Sequence, residues 1–167
     1  MKTKREALVD IYITEALLLL LKKKEYKDIS ITEICKKAGV SRISFYRNFE
    51  SKEDILLKKI QNVTDSFLKE SAISYKSDTI ISYFIKLFTH MKQQIELCNA
   101  LNKAGLMHMI KDEFDQVFLN TYRQEYDEYK SVFIAGGIYN VFLFWFNNNC
   151  RDNPENLAKR LESILMK

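Results

Sequence analysis

SITEICKKAGVSRISFYRNFESK, running from Ser30 to Lys52, encodes two short helices folded around a glycine. Ser30 stands three residues before Glu33 and ahead of an apolar-periodic run, the spacing of a capping box, so a helix starts there. Ile34, Cys35 and Ala38 share one face of that helix, and the small side chains at Cys35 and Ala38 let a second helix cross closely. Gly39 tolerates the left-handed conformation that ends a helix, Val40 plugs the angle, and Ser41 is a good N-cap for the next helix. The pattern is a helix-turn-helix.

In its second helix Phe45 and Phe49 fall on one face by their i, i+4 spacing and are expected in the core. The positions left outside are Arg42, Ile43, Ser44, Tyr46, Arg47 and Asn48, a positively biased cluster of donors on a helix suited to the major groove of DNA. Ser51, followed by Lys52, Glu53 and Asp54, reads as a further capped helix start that holds Lys52 and free amides toward a phosphate. A lone surface lysine is usually no more than solvated, and it is the constellation that gives this one weight.

These residues resemble the DNA-binding domain of TetR-type transcriptional regulators, three helices leading into a longer fourth. Ile34, Ala38-Gly39-Val40-Ser41, Phe45-Tyr46, Phe49 and Ser51-Lys52 stand where that family's pattern has an aliphatic residue, an AGVS-like turn, an aromatic core and an SK cap. The match covers about the first third of the chain. The resemblance implies that Arg42 and Ser44, joined by Thr32 and Ile43, touch base edges, while Tyr46, Arg47, Asn48 and Lys52 contact phosphates. Two departures are visible: Glu25 where the family often closes its first helix with glycine, and Asn48 where histidine is common. Asn48 can still donate to a phosphate, so the second departure bears on affinity more than on register.

Composition agrees with an all-α chain. Among 167 residues, 47% hydrophobic, one proline and four glycines leave little punctuation, and no period-2 runs suggest strands. The expected organisation is an N-terminal helix-turn-helix domain over 1–51 and a C-terminal helical regulatory and dimerisation domain over 52–167. Of the 26 basic and 22 acidic residues, 14 and 9 lie in Met1–Ile60, so the net charge of +4 is concentrated around the helix-turn-helix. That is the electrostatic footprint of a duplex-binding surface, and double-stranded DNA is the expected partner. Lys22-Lys23-Lys24 instead ends an apolar helix, where cations suit the macrodipole.

Leu17–Leu21 is too short for a membrane span and Met1–Arg5 lacks signal architecture, so a cytoplasmic protein with no membrane partner is expected. Cys35, Cys98 and Cys150 are widely spaced and fit reduced thiols. His90 and His108 lack paired-ligand spacing, and neither a metal nor a cofactor is expected. The chain holds no nucleophile–base pair, HExxH, phosphate-binding glycine loop or CxxC, which argues against an enzyme. A helical adaptor that binds another protein through its aromatic C-terminal half is the alternative; it has no use for a basic face carrying Arg42, Tyr46 and Lys52.

Beyond the helix-turn-helix, a helix is expected from Ser51 to about Tyr75, with a break at Lys76-Ser77-Asp78. Another runs through Phe84 and Phe88 toward Asn102 and stops near Gly105, with later helices over Met107 to about Tyr126, Lys130 to Asn148, and from Pro154. Sixteen of the 21 aromatic residues follow Ile60. The span Val132–Phe146 is apolar nearly all round, more than one domain can cover, and Gly136-Gly137 permits close helix approach, so burial against a second subunit is expected. By the family resemblance a homodimer forms through Tyr139, Phe142, Phe146, Leu157, Leu161 and Ile164. The same resemblance implies that a small apolar or aromatic effector releases DNA from a repressor. Phe84, Phe88, Met91, Met107, Phe114 and Phe118 are its candidate lining, although such a stripe is more often plain core.

Overall fold

The computed structural model describes residues 4–72, 80–122 and 127–165, and among them are nine α-helices, one 3-10 turn and no strand. In chain order these are α1 (Lys4–Leu21), the 3-10 turn (Tyr26–Asp28), α2 (Ile31–Ala38), α3 (Arg42–Asn48) and α4 (Lys52–Ala72). They continue as α5 (Ile80–Gln93), α6 (Ile95–Ala104), α7 (His108–Tyr122), α8 (Glu128–Asn147) and α9 (Pro154–Leu165). The chain forms two compact units, one of Met1–Asn62 with Glu96–Met109, the other of Val63–Ile95 with Ile110–Lys167.

The first unit is built on α1, whose Ile13, Ala16, Leu17 and Leu21 are buried while Leu19 faces out. α1 packs on α2 and α3, and the core is completed by Ile29, Ile34, Cys35, Phe45 and Phe49, with Ile55, Leu56 and Ile60 of α4. Burial raises the pKa of the Cys35 thiol, so Cys35 serves as a small core residue rather than a nucleophile. α6 joins this unit through its buried Leu97, Cys98 and Leu101. Lys103 Nζ donates to the Leu21 carbonyl at 3.1 Å, capping the end of α1, and Lys22 pairs with Glu96 at 3.1 Å beside it. Leu18, Ala100 and Asn99 line a groove of about 280 Å³ with these groups.

The second unit is an aromatic core. α5 lies along α9, and Phe88 meets Trp145 edge-on at 5.6 Å, while Trp145 Nε1 donates to the Asp152 carbonyl at 2.8 Å. Phe142 stands between Phe114 at 6.4 Å and Phe146 at 6.0 Å. Leu157, Ala158 and Leu161 of α9 close the core.

Two sequence expectations change. The single helix expected through Phe84 toward Asn102 is two, because the chain turns at Gln94, whose amide donates to the carbonyls of His90 at 3.3 Å and Met91 at 3.1 Å. No glycine or proline marks that turn. The face of α8 and α9 expected at a dimer interface points inward: Tyr139, Phe142, Phe146, Leu157 and Leu161 are buried within the second unit, and only Ile164 of the six is exposed. Of the six candidate pocket residues, Phe84, Phe88 and Met91 are buried core, Phe114 is stacked on Phe142, and Met107 belongs to the first unit. The side chain of Phe118, like the break expected at 76–78, lies outside the described residues.

The start of α2 is as expected. Ser30 Oγ accepts from the Glu33 amide at 3.2 Å and the Glu33 carboxylate accepts from the Ser30 amide at 3.0 Å, while Glu33 also pairs with Lys24. Lys24 first, then Ser30, hold the Glu33 carboxyl at about 2 instead of its usual 4.5. A depressed carboxyl contributes stability above its unfolded value and loses it as pH falls toward the folded one, here between about 4.5 and about 2. Urea unfolding midpoints of the parent and Glu33→Gln are therefore expected to differ at pH 7 and to converge on acidification through that window. A constant gap across it would show that the paired carboxylate contributes nothing.

Candidate nucleic-acid interface

The turn between α2 and α3 is set by Gly39, at φ +69°, whose left-handed backbone closes α2. Ser41 then caps α3, with its Oγ accepting from the Ser44 amide at 3.1 Å and lying 3.0 Å from Ser44 Oγ. α3 has seven residues, too few to persist alone in water, and is held by Phe45 and Phe49, which are buried and in ring contact at 6.0 Å.

With Phe45 directed inward, Arg42, Ile43, Tyr46 and Arg47 are exposed together on the opposite face. Arg42 lies across Tyr46, its Cζ 5.9 Å from the ring centre and Nη2 3.5 Å from the hydroxyl. That contact restrains a guanidinium that can offer paired N–H donors. Thr32 is exposed in the first turn of α2, and Ser44 is half-buried with its hydroxyl beside the cap.

Two residues expected among the outer donors are used differently. Asn48 is 7% exposed, and its Nδ2 donates to the Ser44 carbonyl at 2.8 Å, back along its own helix. Lys52 folds under the domain: its Nζ donates to the carbonyls of Tyr26 at 2.6 Å and Ile29 at 3.0 Å, and sits 4.2 Å from the Tyr26 ring centre. The Ser51 cap expected there is present, with Oγ accepting from the Asp54 amide at 3.1 Å. It is the lysine that turns inward, because the Ile29 carbonyl just after the 3-10 turn takes its ammonium as donor and the Tyr26 carbonyl, already bonded by the Ile29 amide at 3.3 Å, accepts it as well.

Lys58, one and a half turns further along α4, was not legible as a site residue. Its Nζ donates to the Asn48 carbonyl at 2.9 Å, pairs with Asp54 at 2.8 Å and lies 5.1 Å from the Phe49 ring centre. A cation at the end of α3 both satisfies an orphan carbonyl and suits the helix dipole. The only sequence hint is its i+4 spacing from Asp54.

A capped, basic, outward-facing second helix fixed across a first defines a helix-turn-helix DNA-binding protein. Residues 13–58 match the family model described as bacterial regulatory proteins, tetR family, and residues 78–167 match one described as transcriptional regulator C-terminal region. The chain belongs to the TetR family of transcriptional regulators. It is 24% identical over 170 residues to an uncharacterized HTH-type transcriptional regulator, YxbF, of Bacillus subtilis (strain 168). That match takes in 92% of this chain and 43% of the relative, so the chain spans less than half of that protein's length. The solved structure of the fatty acid degradation regulator FadR from Bacillus halodurans shares the fold, with a TM-score of 0.58 and 17% identity over 99% of this chain and 96% of that one.

Lys52→Ala leaves the Ile29 carbonyl short of a donor at a half-buried site and removes the second donor of the Tyr26 carbonyl. The expected cost is about 1 to 3 kcal/mol of unfolding free energy, read from urea denaturation. Stability equal to the parent's would remove the clamp.

Proposed function

We propose that the chain is a homodimeric, sequence-specific DNA-binding repressor of the cytoplasm, with α3 of each subunit in the major groove of a pseudo-palindromic operator. The observation that carries this reading is the outer face of α3, where Arg42, Ile43, Tyr46 and Arg47 are exposed while Phe45 and Asn48 anchor the other side. Arg42 and Ser44, with Thr32 and Ile43, are assigned to base edges, and Tyr46 and Arg47 to phosphates. Asn48 and Lys52, expected at phosphates from the family pattern, are read as positioning residues, given where their donors point. The reading is non-catalytic.

The dimer is assigned to the outer face of α8. Tyr129, Phe133 and Phe144 are 88%, 78% and 73% exposed on one stripe of that helix, with Val132 and Gly137 between them. An added Cβ at Gly136 or Gly137 meets nothing within 4 Å in the protomer. Glycine inside a helix costs about 1 kcal/mol relative to alanine, so an offsetting gain is expected from outside the protomer, in the close approach of a second helix. α8 is also the one helix among the described residues long and apolar enough to cross a membrane. One face in a soluble core and the other on a twin helix accounts for that composition. A small apolar or aromatic effector acting on the second unit completes the reading; His90 Nε2 and Ser131 Oγ are buried there without hydrogen-bond partners among the described residues. It regulates only if it binds one conformation better than the other.

Selection from a random duplex pool at near-physiological salt tests the function. The parent is expected to enrich a pseudo-palindrome that the Arg42→Ala, Tyr46→Phe double mutant does not; no enrichment by the parent transfers the reading to a protein-binding adaptor. On the selected operator, Arg42→Ala is expected to cost about 1 to 3 kcal/mol, and Arg47→Ala to lower the slope of log affinity against log salt by about one. A Phe133→Asp, Phe144→Asp variant should sediment as a folded monomer at concentrations where the parent is a dimer, and a parent already monomeric would overturn the interface.

A further inference from the structure

Ile43 is 74% exposed, the most exposed residue on α3 with no polar atom in its side chain. Nothing in the fold accounts for isoleucine there. It packs against no core, and a β-branched residue in a seven-residue helix has lower helix propensity than the lysine, glutamine or alanine that an exposed position would accept. It follows Arg42 and shares the outer face with Tyr46 and Arg47 at i+3 and i+4, so cationic donors frame one aliphatic side chain. A protein partner that covers isoleucine offers an apolar pocket, and two flanking guanidinium groups would be costly to desolvate in one. A polyanion with an apolar spot on its floor fits both.

We infer that Ile43 reads the C5-methyl group of a thymine in each operator half-site. The inference rests on the DNA-binding function proposed above. In the major groove guanine, adenine and cytosine present donors and acceptors that isoleucine cannot answer, whereas thymine adds a methyl group. Isoleucine in a helix is held largely to one χ1 rotamer, so its methyl groups are oriented before contact and little freedom is lost on binding. Arg42, restrained across Tyr46, then reads a neighbouring base edge while Ile43 rejects positions lacking the methyl group.

Deoxyuridine pairs as thymidine does and lacks only that methyl group, so the test replaces each thymine of the selected operator singly with deoxyuridine. At one thymine per half-site the parent is expected to bind about three- to fivefold more weakly, the effect of one buried methyl group. Ile43→Ala should bind the thymine and uracil duplexes equally, Ile43→Val should keep part of the preference, and Arg42→Ala should keep it while binding more weakly. Because Ile43 is exposed, Ile43→Ala is expected to melt with the parent, which circular dichroism checks. Equal affinity for thymine and uracil at every position, or a preference that survives in Ile43→Ala, overturns the assignment and leaves operator binding standing. Failure of the parent to select any sequence overturns the DNA-binding reading and this inference together.

Discussion

The burial of Phe45 and Phe49 is the constraint on which the rest of the first unit depends. α3 is seven residues long, and a helix of that length has no stability of its own. It exists because one side is fixed into a core formed by α1, α2 and the start of α4. Fixing that side also determines which residues remain outside, so apolar packing on one face aims Arg42, Ile43, Tyr46 and Arg47 on the other. A recognition surface of this kind requires little local order of its own, and its geometry is inherited from the core.

The lysines of the first unit divide into those that hold the fold and those left to solvent. Lys52 and Lys58, at the start of α4, reach back to carbonyls of the 3-10 turn, of Ile29 and of the end of α3. Lys103 reaches the carbonyl at the end of α1 from α6. In each case the ammonium meets a backbone carbonyl at or just beyond a helix end, which is where a cation contributes most to a small helical domain. A formal charge count therefore overstates the basic surface presented to a polyanion. The arginines of α3 make no such carbonyl contact among the described residues and stay on the exposed face.

Much of this was legible in the sequence because helix ends are decided locally. The Ser30–Glu33 capping box, the left-handed Gly39, the Ser41 and Ser51 caps and the proline opening α9 are all signals within four residues of the event they cause. The turn at Gln94 carries no such signal, and the split of α5 from α6 reflects packing of the two helices in different compact units. The carbonyl contacts of Lys52 were out of reach of the sequence for a related reason. Its role depends on carbonyls 23 and 26 residues earlier, which spacing along a helix cannot reveal.

α8 shows a different limit. Amphipathic periodicity assigns a buried face only when the other face is polar, and a helix apolar on both sides has a period without a phase. Tyr139, Phe142 and Phe146 and the opposite stripe of Phe133 and Phe144 are equivalent by composition, yet the first set is core and the second is exposed. The glycine pair is a separate signal from periodicity. Gly136 and Gly137 leave room in the protomer for the Cβ they lack, so the fold of one chain offers no reason for them. In the isologous pairing proposed for α8 the same patch meets itself, and glycine lets the two helices approach more closely than a Cβ would allow. Under the α8 pairing proposed above, the stability of the domain is tied to protomer concentration and the exposed aromatic rings are covered by the second copy.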